Sequence, residues 1–419
     1  MTPWKEIVGL PFACRGEDAD AIGGARPGVV VRPGSVDEVQ AVVRAAAARG
    51  AVIAPSGLGA HLGIGAPPRR LDVLLRLDRL DRVVDHQPAD MTVTVQAGCP
   101  LARLQETLAA ASQWLPLDPP LPERTTVGGL VAANLSGPLR ASQGTVRDLL
   151  LGLRLVGADG ALVSTGGRVV KNVAGYDLSK LHTGALGTLG VLVEATFKVR
   201  PCPAREAALV VACRTPADAG DTALALRDAW PVLWLEAAGA GGLADGPGDG
   251  AAAIAGVGGI AAEVDAGRAR LEAIVAARGL RAAFVDDGAA LRARLARFDV
   301  EPAAAVLRAA VLPADVGTTM ATIESAARAA GAAVRCLAHA ASGVVRVAVA
   351  DAAAVAALVD VLRPGVERRG GALVVTRMQP GVDVEPWGTT GPAHALMRGV
   401  KTALDPAGIL APGRHVGGI

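Results

Sequence analysis

Aromatic side chains are scarce in this chain: five Trp, four Phe and one Tyr among 419 residues. Cores built without them must rely on small aliphatic side chains, and with 51% hydrophobic residues there is ample material for that. Cysteine is also sparse. Cys14, Cys99, Cys202, Cys213 and Cys336 form no Cys-x-x-Cys pair, which excludes the usual zinc and iron–sulfur spacings. An odd, scattered set reads as reduced thiols of a cytoplasmic protein. Neither charge sign dominates, since 42 basic residues face 40 acidic ones for a net charge of +2. That balance argues against nucleic acid as a main partner, because neutralising phosphates needs a basic face.

Long apolar runs are missing too. The longest uncharged stretch, Gly50 to Pro68, is broken by Pro55 and several glycines, and Ala251 to Ala262 is too short; a spanning helix needs about 20 apolar residues. No direct membrane span is expected, and the start lacks the basic and apolar segments of a secretory signal. The six histidines, at 61, 86, 182, 339, 394 and 415, never fall within one helical turn of each other.

The length predicts two or three domains. Gly28 to Arg32 is a β-branched run, stopped by Pro33-Gly34. Ser35-Val-Asp-Glu38 has the form of a capping box, and Val36, Val39, Val42 and Val43 share one helical face up to Gly50. Ala51 to Ala54 is the next strand. Met91 to Ala97 alternates as a half-buried strand does. Pro100 suits the first helical position, ahead of a Leu101, Leu104, Leu108 stripe. Leu149–Val156 and Ala161–Ser164, joined by Asp159-Gly160, predict a hairpin, and Val191 to Val199 closes the unit. From about 206 to 375, Ala and Gly dominate and helix and strand patterns alternate, as in Ala261–Arg278 and Val344–Val349. That stretch reads as a separate α+β domain, and the tail from Met378 changes character again.

Glycine, by contrast, is plentiful, with 52 residues, and it gathers in four segments. The first is Pro55-Ser-Gly-Leu-Gly-Ala-His61 through Gly65, where Gly57 and Gly59 allow backbone N–H groups to approach an anion. A Rossmann loop would need Gly at 62 and a helix directly after; Leu62 and Pro67-Pro68 rule it out. On its own this loop is equally consistent with a plain surface loop. The second segment, Thr125 to Asn134, places Gly128 and Gly129 before an apolar stretch, so that the first N–H groups of a helix would be free for phosphate. Gly137 and Gly144-Thr-Val-Arg-Asp148 extend it. The third is Gly166 to Asp177, and the fourth is Gly184 to Gly190.

In this order and between two β-rich units, these segments resemble the FAD-binding domain of the vanillyl-alcohol oxidase superfamily, the p-cresol methylhydroxylase fold. The resemblance covers roughly residues 28–203 and the tail. It narrows to the FAD-binding E subunits of glycolate oxidase through Val169-Val-Lys-Asn-Val-Ala-Gly-Tyr-Asp-Leu-Ser-Lys180, Val384-Glu-Pro-Trp-Gly388 and the tail from Leu396 to Ile419. The implied fold is α+β: a two-lobed FAD-binding domain over residues 1–205 (lobes about 28–80 and 81–205), a smaller α+β cap domain over 206–375, and a C-terminal segment, 376–419, that returns to the FAD domain.

The resemblance implies non-covalent FAD. Pro55, Ser56, Gly57, Leu58, Gly59 and Ala60, with Thr126, Val127, Gly128 and Gly129, would cradle the diphosphate. Asn134, Gly137, Gly144, Thr145 and the backbone at Val191 would line the flavin and adenine. His61 would be a loop histidine near the ligand, and Arg414 a cation near the pyrimidine end of the flavin. Ala411 stands where relatives often have Asn. Lys171 and Tyr176 read as structural, Tyr176 as a core ring; Arg147 and Asp148 read as an ion pair pinning their loop.

No catalytic base can be assigned. His182 and His394 are the best remaining histidines, and each reads as structural. The resemblance therefore implies a subunit of a glycolate or other 2-hydroxy-acid dehydrogenase. A homologous catalytic flavoprotein subunit and an iron–sulfur subunit would be its partners, and through them it would sit at the inner face of the membrane. The alternatives are a stand-alone flavin oxidoreductase on another small hydroxy acid or alcohol, and a structural subunit without working FAD.

Overall fold

The computed structural model describes residues 12–167, 176–242 and 250–419. The first sheet has the order β1-β2-β4-β3, from β1 (Ala13–Arg15), β2 (Val29–Val31), β3 (Ile53–Ser56) and β4 (Val73–Arg76). β2 and β3 each run parallel to β4. The crossover carries α1 (Val36–Ala47), which buries Val39, Val42, Val43 and Ala46. The Ser35 hydroxyl accepts from the Glu38 N–H as expected, but Glu38 accepts from Gly34 N–H, at 2.6 Å, rather than from Ser35. The carboxylate reaches one residue further back and satisfies the turn instead of the cap.

The second sheet has the order β5-β6-β10-β8-β9 and is antiparallel throughout. Its members are β5 (Val83–Gln87), β6 (Thr92–Gln96), β8 (Leu150–Val156), β9 (Leu162–Gly166) and β10 (Val191–Lys198). Pro100 caps α2 (Leu101–Ala109) from outside, one position earlier than its sequence suggests, and Leu101, Leu104 and Leu108 are buried as the stripe predicts. A two-residue ladder joins β7 (Gln113–Trp114) to β11 (Arg200–Pro201). The tip of the β8–β9 hairpin docks on α1, where Gln40 Nε2 and Arg44 Nη1 both donate to the Gly160 carbonyl. One hydrophobic cluster runs through both sheets, from Val31 and Val43 to Leu153 and Phe197.

The third sheet, eight-stranded and wholly antiparallel, has the order β15-β12-β14-β13-β17-β18-β16-β19. Its strands are β12 (Arg205–Cys213), β13 (Trp234–Ala238), β14 (Ala251–Gly259), β15 (Arg281–Val285), β16 (Ala305–Ala310), β17 (Val334–His339), β18 (Val344–Val349) and β19 (Ala372–Met378). Side chains alternate between its faces. Leu235, Cys336, Val347 and Leu307 pack under long helices such as Pro216–Ala229 and Ala352–Glu367. Trp234, Ile254, Leu337 and Val306 point the other way, toward Leu139 and Trp114 of the N-terminal half.

The two halves are tied by Arg292. It grips Glu206 with Nε and Nη2 (2.8 and 3.0 Å) and Asp118 with Nη1 (3.3 Å), and Trp234 Nε1 donates to the same Glu206. Burial pushes Asp118 up to about 6 against the pull of Arg292. No helix among the described residues is long and apolar enough to cross a membrane.

Candidate functional site

The loop after β3, residues 57–65, lies over α3 (Val127–Ala132) and under the C-terminal segment, and a pocket opens between them. It encloses about 780 Å³ of empty space, counting the part open to solvent. Pro55, Ser56, Gly57, Leu58, Gly59, Ala60, His61, Thr126, Gly128, Gly129 and Arg414 all line it. Ala97 and Leu77 contribute from the ends of β6 and β4, Leu186, Gly187 and Gly190 from the fourth glycine segment, and Leu192 from β10. Arg124 also lines it, and no carboxylate among the described residues does.

Backbone donors come from the loop, not from α3. The N–H groups of Gly57 to Leu62 donate to no group among the described residues. Gly59 has φ +77°, a conformation that other side chains rarely adopt. The expectation of free N–H groups at the start of α3 fails. Val127 N–H donates to Cys99 O at 2.9 Å, Gly128 N–H to Ala97 O at 2.7 Å, and Gly129 N–H to the Thr126 hydroxyl. Gly128 is there because a Cβ would sit 2.9 Å from Ala97 Cβ and 3.0 Å from its carbonyl, so the residue lets α3 pack flat on β6. Likewise a Cβ on Gly57 would meet Thr126 Oγ1 at 2.1 Å, which is how loop and helix close on each other.

Arg414 is 4% exposed. Its Nη2 donates to Leu62 O and Ile64 O (3.0 and 2.7 Å), its Nη1 has no partner, and no carboxylate pairs with it among the described residues. Burial pushes its pKa down to about 10. The tail is fixed by backbone: Ile53 N–H donates to Ile409 O, and Ala411 N–H to Ile53 O. Buried Lys401 donates to Thr188 O, Leu410 O and Asp405 Oδ2 at 2.6–2.8 Å, joining the tail to the fourth glycine segment. Trp387 Nε1 donates to Arg414 O.

His61 lies 2.7 Å, through Nε2, from Thr125 Oγ1. That hydroxyl donates its single hydrogen to Pro120 O at 2.8 Å, so His61 Nε2–H must be the donor in the contact. Burial, helped by Arg124, holds the imidazole down at about 4, hence neutral.

The other predicted residues lie off this pocket. Val127 and Val191 are fully buried in the core. Asn134 has φ +47° and a buried Oδ1 without a partner. Gly137 gives passage to Asp118, whose carbonyl a Cβ would meet at 2.1 Å. Gly144, at φ +83°, precedes Thr145, which caps the short helix Val146–Leu149. There Asp148 accepts from the Thr145 N–H and hydroxyl (2.7 and 2.9 Å) instead of forming the expected pinning pair with Arg147. Tyr176 is 93% exposed, not a core ring. Lys171, with residues 168–175 of the third glycine segment, lies outside the described residues. His182 is buried and pushed down to about 4 by that burial, while His394 is half-buried with an unpartnered Nε2. Arg124 and the hydrophobic floor of Leu77 and Leu192 were not foreseen, since they stand outside any glycine segment.

Residues 27–166 match the family described as FAD binding domain. The chain is 43% identical over 154 residues to glycolate oxidase subunit GlcE of Escherichia coli (strain K12), covering 36% of this chain and 43% of that one. It is 37% identical over 177 residues to a D-2-hydroxyglutarate dehydrogenase of Xanthomonas citri pv. viticola, covering 42% and 38%. The aligned stretch thus spans less than half of either relative. Among solved structures, p-cresol methylhydroxylase with substrate bound matches with a TM-score of 0.72 at 18% identity, over 99% of this chain and 93% of that one. Residues 27–166 thus match an FAD-binding domain, within an α+β chain that has the p-cresol methylhydroxylase fold.

Proposed function

We propose that this chain holds FAD non-covalently in the pocket between loop 57–65, α3 and the tail, and serves as a subunit of a glycolate or related 2-hydroxy-acid dehydrogenase. One observation carries the cofactor assignment. Among the described residues, a pocket lined by two arginines and no carboxylate is bordered by six consecutive residues whose backbone N–H groups have no protein partner, and by a buried guanidinium nitrogen without one. Uncompensated donors around one cavity call for an anion, and a dinucleotide diphosphate supplies it. We assign the diphosphate to Gly57 through Leu62, with the Thr126 hydroxyl beside it, and place Arg414 against the ring system. His61 is tethered by its Nε2–H to Thr125, which supports a non-covalent cofactor.

When bound, FAD would accept the hydride equivalent of a hydroxy acid's C–H bond. The chain's own part is to bind, orient and shield it. The loop fixes the diphosphate, neutral His61 adds no competing charge, and the Lys401-anchored tail closes the pocket against water. The subunit reading rests on the GlcE relative and on the separation of the six histidines, which leaves the base to a partner. A homologous flavoprotein and an iron–sulfur subunit, met at the inner face of the membrane, are the partners we propose. We also propose the division into an FAD-binding part (1–205), a cap (206–375) and a returning tail (376–419); β19 carries the cap's sheet on to Met378.

FAD titrated into the purified chain should bind with a 1:1 flavin spectrum. Glycolate with an artificial acceptor should give little turnover until the partners are added. No binding at sub-millimolar FAD sinks the cofactor assignment. Full turnover by the chain alone moves the assignment to a stand-alone oxidoreductase.

A further inference from the structure

The histidine of the first glycine segment is held in one tautomer by the groups behind it. Thr125 is fully buried. Its N–H donates to Leu121 O at 2.7 Å, and its carbonyl accepts from Leu101 N–H at 2.8 Å. Its hydroxyl donates to Pro120 O at 2.8 Å. That carbonyl has little freedom to turn away. Pro119 and Pro120 follow Asp118, each with φ fixed by its ring, and Asp118 accepts from Arg292 and from Leu139 N–H. A carbonyl can only accept, so the single hydroxyl hydrogen is committed, and Thr125 Oγ1 offers His61 a lone pair. His61 Nε2, 2.7 Å away, therefore carries the hydrogen of the imidazole.

Nδ1 is left as a bare acceptor. Burial, with Arg124, holds the ring at about 4, so no second hydrogen arrives at neutral pH. His61 is half-buried and lines the pocket, and no donor among the described residues reaches its Nδ1. His339, by contrast, spends Nδ1 on buried Glu236 at 2.5 Å, a carboxylate that Arg346 also holds at 2.8 Å, and it lies off the pocket. A bare acceptor selects a donor. The phosphates of FAD are ionised at neutral pH and have no hydrogen to give, so a nitrogen lone pair aimed at them would be repelled. The groups beside the diphosphate that do carry a hydrogen are the hydroxyls of the ribityl chain and of the ribose.

We propose that His61 Nδ1 accepts a hydrogen bond from a sugar hydroxyl next to the diphosphate, which makes His61 the residue that reads the polyol of the cofactor. The assignment rests on the FAD reading above and deepens it. The loop's N–H groups place the phosphates, and Nδ1 places the hydroxyl beside them. Thr125 and Pro120 stand behind the pocket lining; they are positioning groups that set which imidazole nitrogen is free.

The test pairs a change in the protein with a change in the ligand. His61→Phe keeps a planar ring and removes the lone pair. It should weaken FAD about 3- to 10-fold, the size of one neutral hydrogen bond. Riboflavin is compared with lumiflavin, which lacks the ribityl hydroxyls, and ADP with dideoxy-ADP, which lacks those of the ribose. The substitution should weaken riboflavin or ADP by the same factor and spare its hydroxyl-free counterpart, and the pair that responds tells ribityl from ribose. Thr125→Val should reproduce part of the loss, and Thr125→Ser should restore wild-type affinity. Nitrogen NMR of histidine-labelled protein should show the Nε2–H tautomer, with the Nδ1 signal moving upfield when FAD is added. Unchanged FAD affinity in His61→Phe, an equal loss for the hydroxyl-free ligands, or an Nδ1–H tautomer overturns the proposal. If His61→Phe does not fold, Thr125→Val and the NMR signal of the wild type decide. If the wild type takes up no FAD, the cofactor reading fails separately; the riboflavin and ADP pairs then judge His61 by themselves, and no binding of either overturns its role too.

Discussion

Replacing Arg414 with Met separates the cost of an uncompensated buried charge from its use. The guanidinium is held charged although burial brings its pKa from the ordinary arginine value down to about 10. At about 1.4 kcal/mol per pH unit, that gap disfavours the folded, FAD-free state by about 3 kcal/mol. Against this stand the two hydrogen bonds to Leu62 O and Ile64 O, worth about 1 kcal/mol each when lost from partly solvated carbonyls. The two effects nearly cancel, so Arg414→Met should change the stability of the FAD-free chain by only about 1 kcal/mol, in either direction. FAD binding should respond differently. Losing one charge-assisted contact of about 1.5–3 kcal/mol weakens FAD about 10- to 100-fold. Urea melts of the flavin-free proteins and FAD titration followed by flavin fluorescence measure the two quantities. An FAD affinity equal to wild type, or a flavin-free variant several kcal/mol less stable, would refute the argument, because Arg414 would then be a structural clamp.

Two further outcomes follow from the packing. Gly128→Ala puts a methyl group 2.9 Å from Ala97 Cβ, and α3 is tied to Ala97 and Cys99, just past β6, by hydrogen bonds that resist retreat; despite the better helix propensity of Ala, it should cost about 1–3 kcal/mol in thermal or urea unfolding, and a neutral result would mean the helix start is loose. His61 and His182 are both held at about 4 against an ordinary 6.5. Depressed pKa values leave stability intact above about pH 6.5. It then falls as the unfolded chain takes up protons between there and pH 4, by up to about 3 kcal/mol per histidine. Substituting both with Gln should flatten the dependence in that window, and an unchanged slope would show that other groups cause it.

Much of the N-terminal half was legible because its strands and helices follow simple periodicity: the Val39, Val42, Val43 stripe, the alternation from Thr92 to Gln96 and the Asp159-Gly160 hairpin all fold as patterned. Misreadings came where one residue type can serve two ends. Gly128 signals either an open anion site or close backbone packing, and only the position of Ala97 decides. Asp148 next to Arg147 suggests an ion pair, yet a carboxylate three residues after Thr145 competes as a helix cap and wins. Arg124 and the cluster around Glu236 could not be read at all. Strands far apart in sequence bring those residues together, and a sequence carries no local mark of such pairings.

The tail that locks beside β3 has a bearing on how the protein forms. Arg414 reaches across some 350 positions to Leu62 and Ile64, and Ile409 and Ala411 complete hydrogen bonds that Ile53 leaves open. Closing so large a loop is entropically slow. During synthesis the first two sheets must wait, with one wall of their cofactor crevice missing, while the entire cap emerges. If FAD binds in this crevice as proposed, it can be captured tightly only after the tail has emerged, and a nascent chain stopped before residue 409 should be exposed to proteolysis at the crevice that the tail later seals.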